Sequence, residues 1–542
     1  MTHLLERVGE RESTAEQVRG SLSERLSEPF AAAAVLYILS TAIILLAGLR
    51  LTGGRFIYPI DDVYINMAVA KNFALHGVWG VSPFAFNSTT SSPLYVALLA
   101  MICRIVGLKA FLYVPLILSW SFGMGAVWVA SRMVRDYLSK RGQTIALVLF
   151  VLLTPMFVLG ALGMEHAMHL LLTLLFLRAF QDETRAEWHV GLLTALMVGA
   201  RYEGLMMAAV AVLVLGASRR WLRAAVIGVS AWIPVLLYGA FSVAHGGWWL
   251  PNSVAIKGLH VTGFAVAARL SALGERLSIN WQGAPHLALL GVAMLAMALP
   301  VRKANAKVGN LLLVLGGASV LHLLTAQVGM AFRYEAYLVG GAIVAVASAW
   351  PLLWSSRSTV ALSGACVAML AAGVLLLRAG LAADMMPQFP RAIYEQQWQM
   401  GRFLAQSYPG AEIAANDIGA INYLADLHCF DLVGLASPEV FAAKRAGVYT
   451  TSFLERAGDE HGLKVIVVYD PWFAVHPLTP LGGPALPASW MRVERWSVPA
   501  RLQLGGATVS FYARNAADAA QLKARLAEFD STLPARVSVD HK

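Results

Sequence analysis

Pro93-Leu-Tyr-Val-Ala-Leu-Leu-Ala-Met-Ile-Cys-Arg-Ile-Val-Gly107 is the segment on which the fold turns. It is apolar enough to enter a membrane, but it is shorter than the roughly 20 residues of a full span. It also follows the polar run Asn87-Ser-Thr-Thr-Ser-Ser92 and carries Arg104. Around it lie apolar runs near 30–49, 110–131, 143–160, 165–180, 188–200, 204–217, 222–244, 286–301, 308–330, 336–354 and 358–378, about eleven helices. Counting 93–107 as a further crossing reverses the side of every later loop.

The cations decide between the two topologies, because Lys and Arg concentrate in short cytoplasmic loops. If 93–107 does not cross, five basic sets fall inside: Arg132, Arg135, Lys140 and Arg141; Arg178 and Arg185; Arg219, Arg220 and Arg223; Arg302, Lys303 and Lys307; and Arg357. If it crosses, all of them face outward. The sequence therefore predicts a juxtamembrane or re-entrant segment at 93–107 on the outer side, the N-terminus in and the C-terminal region out.

Composition sets the class. The 542 residues are 58% hydrophobic and 14% charged, and the mean hydropathy of +0.61 excludes a soluble protein that hides its apolar residues in a core. The net charge of +10 belongs to loops between apolar runs, which points to a membrane and not to nucleic acid. Cys103, Cys366 and Cys429 lie far apart and form neither a disulfide framework nor a metal-ligand spacing. Residues 1–29 read as a cytoplasmic tail before an uncleaved first helix, being too long and acidic for a signal peptide. The expected fold is a polytopic α-helical membrane protein: a membrane domain over 30–382 with outer loops at 50–109 and 245–285, then a soluble outer α/β domain over 383–542. In that domain Glu412–Ala415, Lys464–Tyr469, Arg492–Ser497 and Ala507–Ala513 read as strands, and 391–407 and 516–528 as amphipathic helices.

This topology, drawn from basic loops alone, gathers a second set of residues at the outer mouth. Asp61 and Asp62 stand just before a helical pattern that runs to His76. Two adjacent carboxylates there can act as a general base and its neighbour or join a metal site, although one acid alone would cap the helix. Glu165, with His166 beside it, opens another helix, where a carboxylate also suits the helix dipole. Arg201 and Glu203 interrupt an apolar stretch, as a structural ion pair at a hairpin turn or as part of a site. Asn252, Lys257, Arg333 and Tyr334 complete the set. Arg201, Lys257 and Arg333 lie outside against the positive-inside tendency, and an anionic phosphate would give them a reason to be there; snorkelling is the alternative for Lys257. Trp248 and Trp249 read as an interfacial anchor, with sugar stacking as the other use.

In order along the chain come Asp61-Asp-Val-Tyr-Ile with Ala70-Lys-Asn-Phe-Ala-Leu-His-Gly, Thr90-Ser-Ser-Pro-Leu-Tyr, Gly163-Met-Glu, Arg201-Tyr-Glu-Gly, Leu250-Pro-Asn-Ser with Ala255-Ile-Lys, Arg333-Tyr, and Asn416-Asp-Ile-Gly-Ala-Ile with Asp431-Leu-Val-Gly-Leu. This ordered set resembles the GT-C class of polytopic glycosyltransferases, and within it the bacterial arabinofuranosyltransferase branch that caps arabinan. His166 and Tyr202 depart from that pattern, which has a small residue and a proline there, and Ser253 stands for a usual threonine. The resemblance implies a polyprenyl-phosphate sugar donor, a cell-envelope glycan acceptor, a place in the cell's inner membrane with an outward-facing site, and a catalytic acid at Asp61 or Asp62. It also implies substrate contacts from Tyr64, Asn72, His76, Glu165, His166, Arg201, Glu203, Asn252, Lys257, Arg333 and Tyr334. A divalent metal is compatible but not required, since guanidinium groups can neutralise a leaving phosphate. The alternatives are a lipid or glycan transporter, which calls for ionisable residues at mid-membrane and a helix repeat, and a non-catalytic scaffold.

Overall fold

The computed structural model describes residues 28–257, 266–356, 358–473, 482–499 and 504–541. The expected tail falls almost wholly outside them, as do Arg357 and part of the second outer loop. Helices occupy all eleven expected positions: α1 (Glu28–Leu51), α4 (Val114–Val134), α5 and α6 (Lys140–Leu153 and Met156–Leu162), α7 (His166–Gln181), α8 (Glu187–Ala200), α9 (Gly204–Ala217), α10 (Trp221–Ala244), α13 (Pro285–Ala304), α14 (Ala306–Thr325), α15 (Ala336–Ser356) and α16 (Thr359–Met385). Between them lie α2 (Asp61–His76), α3 (Pro93–Phe111), α11 (Asn252–Lys257) and α12 (Val266–Gly283). Among the described residues eight helices are long and apolar enough to cross a membrane, or nine if α5 and α6, bent by 49° at Pro155, count as one span. By that criterion α3 is one of the eight, whereas α7, α8 and α9 are too short.

The decisive segment does not run straight. Near its start Tyr95 Oη donates to the Gly163 carbonyl at 3.0 Å. Beyond its end the Leu112 carbonyl accepts from Tyr58 Oη at 2.8 Å, and the Tyr58 ring lies against Gly163. A straight helix from 95 to 112 would be about 25 Å long, too long for both ends to meet one glycine through two tyrosines. Gly107, with φ 73° and ψ 166°, breaks it and returns the chain to the level of Gly163.

Gly163 itself closes α6 in the left-handed region (φ 74°), and a Cβ there would stand 2.4 Å from the Tyr58 ring. Gly163→Ala should therefore lower the melting temperature, combining the left-handed penalty with overpacking for a loss of about 1–3 kcal/mol. An unchanged melting curve in detergent would contradict this packing.

The membrane domain has two polar ends. At one, Arg223 Nε meets both Glu187 carboxylate oxygens at 3.0 Å, its Nη1 and Nη2 reach the carbonyls of Asp182 and Arg185, Arg220 pairs with Glu183, and Arg302 bonds Ser218. These are three of the loops expected inside. Helix α8 runs from this end, at Glu187, to the other end, at Arg201, about 20 Å away.

After α16 come α17 (Gln388–Glu395) and α18 (Gln397–Ser407), then a mixed sheet in the order β2-β1-β3-β5-β4-β6. Strands β1 (Glu412–Ala415), β2 (His428–Asp431) and β3 (Val465–Val468) are parallel. Strands β4 (Met491–Ser497), β5 (Thr508–Ala513) and β6 (Ser538–His541) extend the sheet antiparallel. Helices α19 (Gly419–Leu424), α20 (Pro438–Ala446), α21 (Thr451–Glu460) and α22 (Ala516–Asp530) complete the domain. The run Val465-Ile-Val-Val is buried at every position, as a central strand covered on both faces should be. On one face Trp496, Phe403, Phe511 and Phe529 stack into an aromatic core. The expected strands are all present; the expected helix 391–407 breaks at Gln396, whose ψ of −85° leaves the helical region.

Candidate active site

Helix α2 begins with its two acids and no side-chain cap from Ile60. Successive helical residues point about 100° apart, and Asp61 and Asp62 go to different partners. Asp61 is buried and turns to the C-terminal domain: its Oδ2 accepts from the Gly419 amide at 2.6 Å and its Oδ1 from the Ala420 amide at 2.8 Å. The Asp417 carboxyl stands beside it and accepts from Gln397 Nε2 at 2.8 Å. Asp62, whose side chain is 33% exposed, turns instead to the wholly buried Arg333 and pairs with its Nη2.

Around that pair stands a set of charges drawn from three loops and from Arg378 of α16. The Arg201 guanidinium binds Glu203 through Nη2 at 2.6 Å and Nε at 3.2 Å, and Glu165 through Nη1 at 2.5 Å. Asn66 Nδ2 reaches Glu165 at 3.4 Å, and Thr90 Oγ1 in turn donates to Asn66 Oδ1 at 3.0 Å. The Tyr334 ring carries Arg201 at 5.3 Å and Arg333 at 5.0 Å from its centroid, so one aromatic ring takes two cations. Glu335 pairs with Arg378 and accepts from the Gly329 amide at 2.8 Å. That contact secures a turn in which Met330, Ala331 and Phe332 all take positive φ, a strained conformation for L-residues that delivers Arg333 to Asp62. Among the described residues no acceptor meets Arg333 Nε or Nη1, although both are buried.

A cavity of about 440 Å³ elsewhere is wholly apolar in its lining; the one at this site, about 350 Å³, is two-faced. Arg201, Glu203, Tyr334 and Gln327 form its polar end, and Leu205, Met206, Trp232 and Val235 its apolar wall. Its size falls in the range of small-molecule sites.

The expected site residues divide accordingly. Glu165, Arg201, Glu203, Arg333 and Tyr334 come together with Asp62, and His166 packs beside Glu165 and Tyr334. Tyr64, Asn72 and His76 do not. Tyr64 is buried against Trp398 and Tyr423, where its hydroxyl accepts from the Tyr58 amide; Asn72 holds the Gly80 carbonyl; and His76 is exposed at the far end of α2, about 20 Å from Asp62. They were expected at the substrate because their motif adjoins the two acids, but helical rise carries Asn72 and His76 away, and Tyr64, nearly one turn beyond Asp61, shares that residue's face toward the C-terminal domain. Asn252 ties the loop after α10 to the Leu435 carbonyl and, through its amide, to that of Ser88. The Lys257 side chain lies outside the described residues.

Of the two explanations the sequence offered for Arg201, the ion pair with Glu203 at the hairpin turn is present. Arg201 and Arg333 are each paired with carboxylates of the same chain; among the described residues Arg333 Nε and Nη1 and Arg378 Nη1 are buried donors without an acceptor. Trp248 packs on Phe441 with Arg445 over its ring, facing the C-terminal domain. Sequence reasoning missed Asn66, Gln397, Asp417 and Arg378 as members of this apparatus. The signal for Asp417 was present in the Asn416-Asp-Ile-Gly-Ala motif, which read equally well as a turn. Among the described residues the group able to share a metal is Glu494, Asp530 and His541, at the sheet edge, where Trp496 and His541 already hydrogen-bond Glu494.

Comparison with known proteins gives three results. A family model described as a domain of unknown function, DUF8728, matches residues 391–512. No curated protein matches the chain. Among solved structures, the chain is similar to ArnT from Cupriavidus metallidurans bound to undecaprenyl phosphate, with 15% identity, 89% of this chain and 98% of that one covered, and a TM-score of 0.48. It is also similar to the Archaeoglobus fulgidus oligosaccharyltransferase in the apo form, with 15% identity, 89% and 74% covered, and a TM-score of 0.45.

Proposed function

We propose that this chain is a membrane glycosyltransferase that moves a sugar, specifically arabinofuranose, from a polyprenyl-phosphate donor to a hydroxyl of a cell-envelope glycan. The two-faced cavity carries this reading: Arg201, Glu203 and Tyr334 line its polar end, Arg333 with its partner Asp62 lies against the Tyr334 ring, and Leu205, Met206, Trp232 and Val235 form the apolar wall. An amphiphile with an anionic head and an isoprenoid tail suits both faces.

In this reading Asp62 is the general base. It removes the proton from the acceptor hydroxyl; the oxygen attacks the anomeric carbon, the bond from that carbon to the phosphate oxygen breaks, and polyprenyl phosphate leaves. Direct attack inverts the anomeric centre. Arg333 holds Asp62 through Nη2 and offers Nε and Nη1 to the phosphate, whose growing charge it neutralises. Arg201, fixed by Glu165 and Glu203, keeps Tyr334 in place between the two guanidinium groups. The site faces outward, opposite the basic loops around Arg223, and α3 lies along the outer surface.

The purified full-length chain, given radiolabelled decaprenyl-phosphate arabinofuranose and an arabinan acceptor, should release polyprenyl phosphate in step with labelled glycan. Lipid movement between leaflets without cleavage would contradict the reading and favour a transporter.

A further inference from the structure

We infer that the C-terminal domain belongs to the catalytic apparatus: Asp417, with the Gly419 and Ala420 amides, clamps Asp61 and so sets its neighbour Asp62 on Arg333. Asp417 is thus a positioning residue, a role that rests on the reading of Asp62 as the base.

The first turn of α2 has no cap of its own; what fixes it is Asp61, held by two backbone amides, with the Asp417 carboxyl beside it. The contact leaves no slack. A Cβ on Gly419 would stand 2.5 Å from Asp61 Oδ2 and 2.2 Å from its carbonyl oxygen, so only glycine permits this approach. A carboxylate about 6 Å from a helix axis moves about 1 Å when the turn rotates by roughly 10°, and an error of about 1 Å at a reacting group can cost about a hundredfold in rate. The far end of α2 is docked separately, by Lys71 Nζ on Asp426 at 3.0 Å and on the carbonyls of Asn422 and Tyr423. General attachment of the domain and the setting of Asp62 can therefore be disturbed one at a time. The matched region 391–512 contains Gln397, Asp417, Gly419 and Ala420, which gives that domain of unknown function a specific task.

Protonation gives a second readout. Asp417 is faced by Asp61 and Asp62 from α2, by Gln397 from α18 and by Tyr469 after β3. Burial, then the Asp61 charge and hydrogen bond, push its carboxyl well above the usual range, outweighing Gln397. Burial also raises Asp61, against the hydrogen bonds from Asp417 and the two amides. In this proposal the proton shared by the two carboxyls sits on Asp417, which donates it to Asp61. For an acid raised on folding, the stabilisation is present at low pH and is lost as pH rises through the folded-state value.

The test uses the full-length protein in detergent with Asp417→Ala, Asp417→Asn and Lys71→Ala. Asp417→Ala should lower kcat by about ten- to a hundredfold with donor KM within about twofold. Asp417→Asn, which donates to Asp61 at any pH, should recover most of kcat and lose the wild type's alkaline decline. Hydrogen exchange over residues 60–66 should rise at least about tenfold in Asp417→Ala but not in Lys71→Ala, which loosens residues 70–76 instead. Equal effects of Asp417→Ala and Lys71→Ala on kcat, or unchanged exchange over 60–66 in Asp417→Ala, would overturn the inference. If the wild type transfers no sugar, the glycosyltransferase reading fails, while the exchange data still decide whether Asp417 sets the turn.

Discussion

Asp62→Asn should lower the rate of sugar transfer by about two to four orders of magnitude, the range for losing a general base. The asparagine fills the same volume and still accepts from Arg333 Nη2, but it cannot take the acceptor's proton. Because Arg333 is buried and Asp62 is its carboxylate partner, the variant also loses some stability, and that loss has to be separated from the chemical one. Asp62→Glu provides the separation. It keeps the charge beside Arg333, so its melting temperature should stay near the wild type's, yet the added methylene displaces the carboxylate and should cost about a hundredfold in kcat. Single-turnover rates and melting curves on the three proteins check this together. An Asp62→Asn protein that remains folded and transfers sugar at the wild-type rate removes Asp62 from the mechanism.

The largest expected effect on stability comes from Arg201→Ala. That change leaves the Glu165 side chain, 1% exposed, and the Glu203 side chain, 19% exposed, facing each other without their shared guanidinium. Breaking a buried ion pair from one side costs about 3–5 kcal/mol, a large part of a typical total stability of about 5–15 kcal/mol. Arg201→Lys should recover only part of it, since a single ammonium cannot reproduce three guanidinium contacts to two carboxylates. Adding Glu165→Gln and Glu203→Gln to Arg201→Met should restore much of the melting temperature without restoring donor binding. Full recovery of donor KM in that triple variant would show that Arg201 is structural alone.

The sequence made the membrane domain legible because its signals are long and redundant: apolar runs identify helices one by one, and basic residues group the loops that share an end. It also brought Asp62, Glu165, Arg201, Glu203 and Arg333 to one mouth, since sidedness alone groups the loops that carry them. Long-range pairing was not legible. The Arg201–Glu203 pair, two residues apart, is readable as a hairpin-turn ion pair, but Glu165 lies 36 residues from Arg201 and Asp62 lies 271 residues from Arg333. Loop assignment can say that such residues share a surface, but only packing says which touch. The short strands β2 and β6, His428-Cys-Phe-Asp and Ser538-Val-Asp-His, escaped notice because four residues with little apolar alternation carry almost no strand signal. The separate fates of Asp61 and Asp62 were hidden for a different reason: on a helix adjacent residues face different partners, and the partner of Asp61 lies more than 350 residues further along the chain.

The central claim, a lipid phosphate held by Arg333 beside Asp62, is tested most directly by a structure of the full-length protein with decaprenyl phosphate bound. The phosphate should accept from Arg333 Nε and Nη1, with the first isoprene units along Leu205, Met206 and Trp232. A head group bound away from Arg333, or a lipid seated only in the apolar groove between Leu149 and Trp350, would contradict it.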